Sequence, residues 1–129
     1  MPYLQLEVNG RYPVATKQFL AKQLGNIFSE LMEANVKRVT VTIRELGEGA
    51  VWRCGDGEPV AASLLMCDIR RGRTPEQRTQ LAKALIKACE EILELDEGLL
   101  NIEFTQHAGD EMYHPTMGGL SEDWTADEA

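Results

Sequence analysis

Pro2 has the most distinctive chemistry the chain offers. Loss of Met1 would make it the free terminus of a strand-like segment, Pro2-Tyr3-Leu4-Gln5-Leu6-Glu7-Val8. A terminal proline carries a titratable secondary amine, which no proline inside a chain has. An α-amino group titrates near ~8, and an apolar pocket or neighbouring arginines would lower that value by disfavouring the cation. The amine would then act as a general base close to neutral pH, where proton transfer is most effective. Other reactive residue types read differently. Cys54, Cys67 and Cys89 have no CxxC spacing and fit reduced thiols. Cys67 falls in a strand-like run and Cys89 in a helix-like run, as packing residues. His107, Asp110, Glu111 and His114 follow none of the strong zinc spacings and read as a polar loop.

Positioning such residues requires a scaffold, and an internal repeat supplies it. Asn9-Gly10-Arg11 matches Arg71-Gly72-Arg73 at an offset of 62, and Gln18 to Leu24 resembles Gln80 to Leu85. Each half reads strand, Gly-Arg turn, helix, strand. In the first half Leu4, Leu6 and Val8 alternate with polar residues. A helix is predicted over residues 14–34, with Phe19, Leu20, Leu24, Ile27, Phe28 and Leu31 on its apolar stripe. Val39, Val41 and Ile43 alternate through the next strand, and Gly47, Gly49, Gly55 and Gly57 mark a turn-rich excursion. The second half opens on the apolar run 61–69, suited to a central strand. Thr74-Pro75-Glu76-Gln77 is a capping-box helix start with proline at the first position, and that helix is predicted to reach Leu95. Leu99 to Gln106 is the last strand.

Two strands around one helix form a right-handed parallel crossover. The expectation is therefore an α/β protein (α+β by some schemes) of two tandem β-α-β units. They form one four-stranded sheet with two helices on one face. The units span about 2–58 and 61–118 of a single domain, 1–118, followed by an acidic tail, 119–129, expected to be solvated. The uncovered sheet face, expected to be apolar, predicts an oligomer.

Composition narrows the partners. The chain has 129 residues, 43% of them hydrophobic, which supports one core. A net charge of −8 argues against nucleic acid. No apolar run reaches membrane-span length and no signal peptide is visible, so a cytoplasmic protein is expected.

Pro2, the repeated β-α-β layout and the Gly-Arg turns together resemble the tautomerase superfamily, typified by 4-oxalocrotonate tautomerase. The length resembles members with two units per chain: cis-3-chloroacrylic acid dehalogenase, malonate semialdehyde decarboxylase and 5-carboxymethyl-2-hydroxymuconate isomerase. The resemblance implies that Pro2 is the catalytic residue and that the chain forms a homotrimer. It implies a substrate-binding role for Arg70 and Arg73, whose spacing is that of the dehalogenase pair. Arg71 and Arg73 equally match the decarboxylase pair. Two guanidinium groups there suit a bidentate clamp on a carboxylate. Arg11 resembles the arginine of the Gly-Arg turn in 4-oxalocrotonate tautomerase, and Trp52 lies near the position of its pocket aromatic. Its second arginine falls at Thr40 here, with Arg38 and Arg44 as neighbours. Glu103, Tyr113 and His114 lie near the water-activating positions of the dehalogenase.

What the resemblance implies is a cofactor-independent tautomerase or isomerase. Pro2 would move a proton on a small 2-hydroxy-enoic or 2-keto acid, and arginines would hold the carboxylate. A cationic Pro2 would serve instead as a general acid, suiting a dehalogenase, hydratase or decarboxylase of a three-carbon acid. A non-catalytic member that binds a small anion or a protein is the alternative of another class. No metal or organic cofactor is expected.

Overall fold

A computed structural model describes residues 2–126. Its elements are β1 (Tyr3–Val8), α1 (Val14–Met32), β2 (Thr40–Glu45), β3 (Trp52–Arg53), β4 (Val60–Ala61), β5 (Ser63–Arg70), α2 (Pro75–Leu93) and β6 (Leu100–His107). Short 3-10 turns occupy Val36–Arg38 and Gly109–Glu111.

The main sheet has the order β2-β1-β5-β6. Pairing is parallel within each β-α-β unit and antiparallel between β1 and β5. The two units are thus joined through their first strands, running in opposite directions. This register decides where the chemistry goes. Tyr3 pairs with Asp68, so Pro2 lies beside the end of β5 and the 70–73 turn. The turn after β1 is carried to the other end of the sheet.

Both helices cover one sheet face. Leu4, Leu6 and Val8 of β1 and Leu65, Cys67 and Ile69 of β5 point into the core, against Leu20, Leu24, Phe28 and Met32 of α1 and Leu81, Leu85 and Cys89 of α2. Each fully buried leucine contributes on the order of 2 kcal/mol of transfer free energy. Burial pushes the Cys67 and Cys89 thiols up to about 12, so neither is a nucleophile near neutral pH.

Helix α2 starts as its sequence predicts. The Thr74 hydroxyl accepts from the Gln77 N–H at 3.1 Å, and the Gln77 side chain accepts from the Thr74 N–H at 3.0 Å. Both helices end alike, at a left-handed non-glycine residue, Glu33 (φ 50°) and Glu94 (φ 53°). That shared cap is a structural trace of the repeat.

Several expectations are corrected. Helix α1 stops at Met32 and α2 at Leu93, slightly early, because the left-handed caps end them. Phe19 and Leu31 do not join the core stripe; they are exposed. The buried row Leu20, Leu24, Phe28 and Met32 repeats every four residues, which turns its neighbours outward. The excursion contains a two-stranded ribbon, β3 with β4. Strands of two residues carry no readable alternation. Asn9 pins this ribbon, donating to the carbonyls of Val51 and Ala62 and accepting from the N–H groups of Ala50 and Val51.

The open sheet face is not a continuous apolar patch. Tyr3, Leu64 and Met66 share it with Gln5, Glu7, Thr42, Arg44, Asp68 and Glu103. Arg44 pairs with Glu7 across the strands at 3.0 Å. Nor is the whole acidic tail solvated: Trp124 is 6% exposed and docked on the fold. Residues 127–129 of that tail lie outside the described residues. Among the described residues, no helix is long and apolar enough to cross a membrane.

Candidate active site

Pro2 is buried at the head of β1, and its carbonyl accepts the Thr40 N–H at 3.1 Å. It lines a small cavity of about 20 Å³ with Phe28, Ala34, Arg38, Arg70, Arg73 and Ser121. Such a space holds about one water molecule. A larger cleft of about 770 Å³ shares Ala34, Arg38, Arg70 and Ser121 with it and adds Ser29, Glu33, Asn35, Met117 and Ala126. Arg38 and Arg70 therefore belong to both spaces.

Each arginine arrives by a different route. Arg70 is the last residue of β5 and alternates onto the open face; its guanidinium donates to the Glu122 carbonyl at 2.8 Å. Gly72, at φ +130°, then reverses the chain, a conformation that favours glycine. Arg73 comes back under the sheet and is 6% exposed. Its Nε and Nη2 donate to the Met32 carbonyl at 3.1 and 2.9 Å. That carbonyl belongs to the last turn of α1, where the helix dipole favours a cation. The Arg73 guanidinium also lies over Trp124 (4.8 Å) and Phe28 (5.8 Å). Arg38 ends the 3-10 turn that Asn35 caps through the Lys37 N–H at 2.9 Å, and it donates to the Met117 carbonyl at 3.0 Å.

The other residues singled out from sequence lie elsewhere. Arg71 is exposed; its backbone bridges the His107 carbonyl and the Trp124 N–H, both at 2.7 Å. Arg11 is exposed after the far end of β1, where the antiparallel β1–β5 pairing leaves it. Trp52 sits on the ribbon, 54% exposed, with its indole bonded to the Gly49 carbonyl. Glu103 belongs to the open sheet face, beside Tyr3, Gln5 and Met66. Tyr113 is exposed, and His114 accepts from the Thr116 N–H at 3.1 Å. None of these six lines the Pro2 cavity. His107 pairs with Asp68, and Glu111 accepts from the Ala108 N–H. Among the described residues, no three metal-binding side chains converge.

Sequence reasoning missed Ser121, Met117 and Trp124 as parts of this region. Their only signal was a lone tryptophan within an otherwise acidic, small-residue tail.

No protein-family model matches the chain. No curated protein matches it either. Solved structures do. One is N1, a member of the cis-3-chloroacrylic acid dehalogenase family, at 21% identity and TM-score 0.81, covering 94% of this chain and 85% of that one. Another is Q0, a wild-type fused 4-OT forming a symmetric trimer, at 24% identity and TM-score 0.78, covering 92% and 94%. A third is Pt0534 inactivated by 2-oxo-3-pentynoate, at 22% identity and TM-score 0.76, covering 92% and 95%. The chain has the tautomerase fold.

Proposed function

We propose that the protein is a cofactor-independent tautomerase or isomerase of a small 2-hydroxy-enoic or 2-keto acid, working as a homotrimer. The observation that carries this is the burial of Pro2 in one cavity with Arg38, Arg70 and Arg73. The trimer is supported by the fold shared with a fused 4-OT of that assembly.

With Met1 removed, the Pro2 nitrogen is a secondary amine among three guanidinium groups, which disfavour a further positive charge. A neutral amine takes a proton from the 2-hydroxyl or the α-carbon of the substrate and returns it at another carbon. Arg70 and Arg38 border the outer cleft, so they hold the carboxylate and offset the dienolate charge. Arg73 is committed to the end of α1 and acts as a positioning residue behind them.

Intact mass tests the premise, since retained Met1 leaves no amine on Pro2. Ketonisation of phenylenolpyruvate or 2-hydroxymuconate by wild type and Pro2→Ala tests the chemistry. Equal rates refute it. One observation favours a second reading: the fold is shared with a member of the cis-3-chloroacrylic acid dehalogenase family. A cationic Pro2 would then act as general acid on a three-carbon acrylate. Halide release from 3-chloroacrylate supports that reading, and its absence removes it.

A further inference from the structure

Neither long helix has a basic residue in its last turn. At the end of α1 a cation comes from outside, because the Arg73 guanidinium donates to the Met32 carbonyl. Arg11, the match of Arg73 in the repeat, is exposed. Tyr12 beside it instead lines a cleft of about 210 Å³ at the end of α2. The negative end of the α2 dipole is thus left without a guanidinium of its own.

The lining of this cleft favours a cation. Glu94 and Asp96 belong to it, and no lysine or arginine does. Lys17 is held on Glu45, and Arg53 on the Gly98 carbonyl and Asn101. Burial raises the Tyr12 pKa, and the Glu45 and Glu94 carboxylates raise it further, so a negative potential reaches the cleft wall. Ser63 supplies an independent sign of a ligand. It is 8% exposed and lines the cleft, yet among the described residues its hydroxyl has no hydrogen-bond partner. Among the described side-chain atoms, only Trp124 Nε1 is both unpartnered and sealed from solvent, so the Ser63 hydroxyl opens into the cleft. A hydroxyl left unpaired in so buried a residue is costly, and a ligand N–H would pair it. Among the described residues no three metal-binding side chains converge, which favours an organic cation over a chelated metal.

We propose that this cleft binds a small guanidinium compound, which donates to Glu94, Asp96 and the Ser63 hydroxyl where the other half of the molecule uses its own Arg73. A guanidinium meets carboxylates through paired N–H groups. The space suits a molecule on the order of six heavy atoms. The site is independent of proline chemistry at the opposite end of the sheet.

Ethylguanidinium is a probe of that size, and N-ethylurea is its neutral counterpart. In amide NMR titrations, ethylguanidinium moves the Ser63, Leu95 and Asp96 resonances saturably, and N-ethylurea binds at least about tenfold more weakly. Asp96→Asn combined with Glu94→Gln weakens ethylguanidinium by at least about tenfold. Should that protein not fold, Asp96→Asn alone carries the comparison, with at least about a threefold loss. Ser63→Ala leaves the melting temperature unchanged or higher, since its hydroxyl has no bond to lose, and weakens the cation by at least about threefold. No saturable shift at these amides overturns the site. So does equal affinity for N-ethylurea, or affinity unchanged by the Asp96 or Ser63 substitutions.

Discussion

At one end of the central strand pair, Pro2 shares its cavity with Arg38, Arg70 and Arg73. At the other end, Ser63 shares a cleft of about 210 Å³ with Asn9, Tyr12, Glu94 and Asp96. The surroundings are built alike. Each cleft borders the end of a helix that closes on a left-handed glutamate, Glu33 or Glu94. Their chemistry differs completely. The second cleft has no arginine in its lining, and Ser63 is internal to the chain, with an amide where Pro2 would carry an amine. Burial and the nearby Glu45 and Glu94 carboxylates raise the Tyr12 pKa. The pairing of one scaffold with two chemistries teaches that the fold supplies clefts and that a few side chains decide what each could bind.

The largest effect that would sharpen this contrast is in turnover. Pro2→Ala should lower kcat by about 10²–10⁴-fold, the range for a lost general base. Asp96→Asn, in the second cleft, should leave kcat/KM within about twofold, as expected of a surface change. Comparable losses at both ends would break the contrast.

Next is binding. Arg70→Ala or Arg38→Ala should raise KM by about tenfold to a hundredfold, the equivalent of about 1.5–3 kcal/mol for a lost charged hydrogen bond. Arg11→Ala should leave KM unchanged. Steady-state kinetics with one monocarboxylic substrate checks all three.

Stability comes third. Arg73→Ala removes two donors from the Met32 carbonyl and two ring contacts, and should lower unfolding stability by about 2 kcal/mol in urea titrations. Arg11→Ala, at the corresponding exposed turn, should stay within about 0.5 kcal/mol.

The smallest effect is a pH dependence at the second end. Hydrogen bonds from Lys17 and from the Tyr12 N–H hold the Glu45 carboxyl below its ordinary value. A depressed folded-state pKa means that the contribution is present above the ordinary carboxylate range and is lost as pH falls through the lowered value. Melting curves of wild type and Glu45→Gln should therefore converge in acid and separate slightly near neutrality, since the pair is only partly buried and water screens it. A gap that widens in acid would contradict the assignment.

Much of the fold was legible because its signals are local. The alternation in β1 and β2, the capping box at Thr74 and the repeated Gly-Arg turn each report on a few neighbouring residues. The antiparallel junction between β1 and β5 is not local, and no residue pattern announced it. That junction explains why Pro2 meets Arg70 and Arg73 and why Arg11 and Trp52 are taken away from it. Spacing alone weighted Arg73 as a ligand contact, and no local pattern announced its burial or its bonds to the Met32 carbonyl. The docking of Trp124 was unreadable for another reason. Four acidic residues in the last eight suggested solvation; Glu122 and Asp123 are indeed exposed, but Trp124 beside them is buried against the fold.

The most direct test of the central claim is labelling of the terminal amine. Pt0534 is inactivated by 2-oxo-3-pentynoate, a 2-keto acid whose activated alkyne accepts an amine nucleophile. Peptide mapping after incubation of this protein with that compound should find one adduct, on an amino-terminal peptide that begins at Pro2. A peptide that still begins at Met1, or an adduct elsewhere with Pro2 unlabelled, would contradict the account.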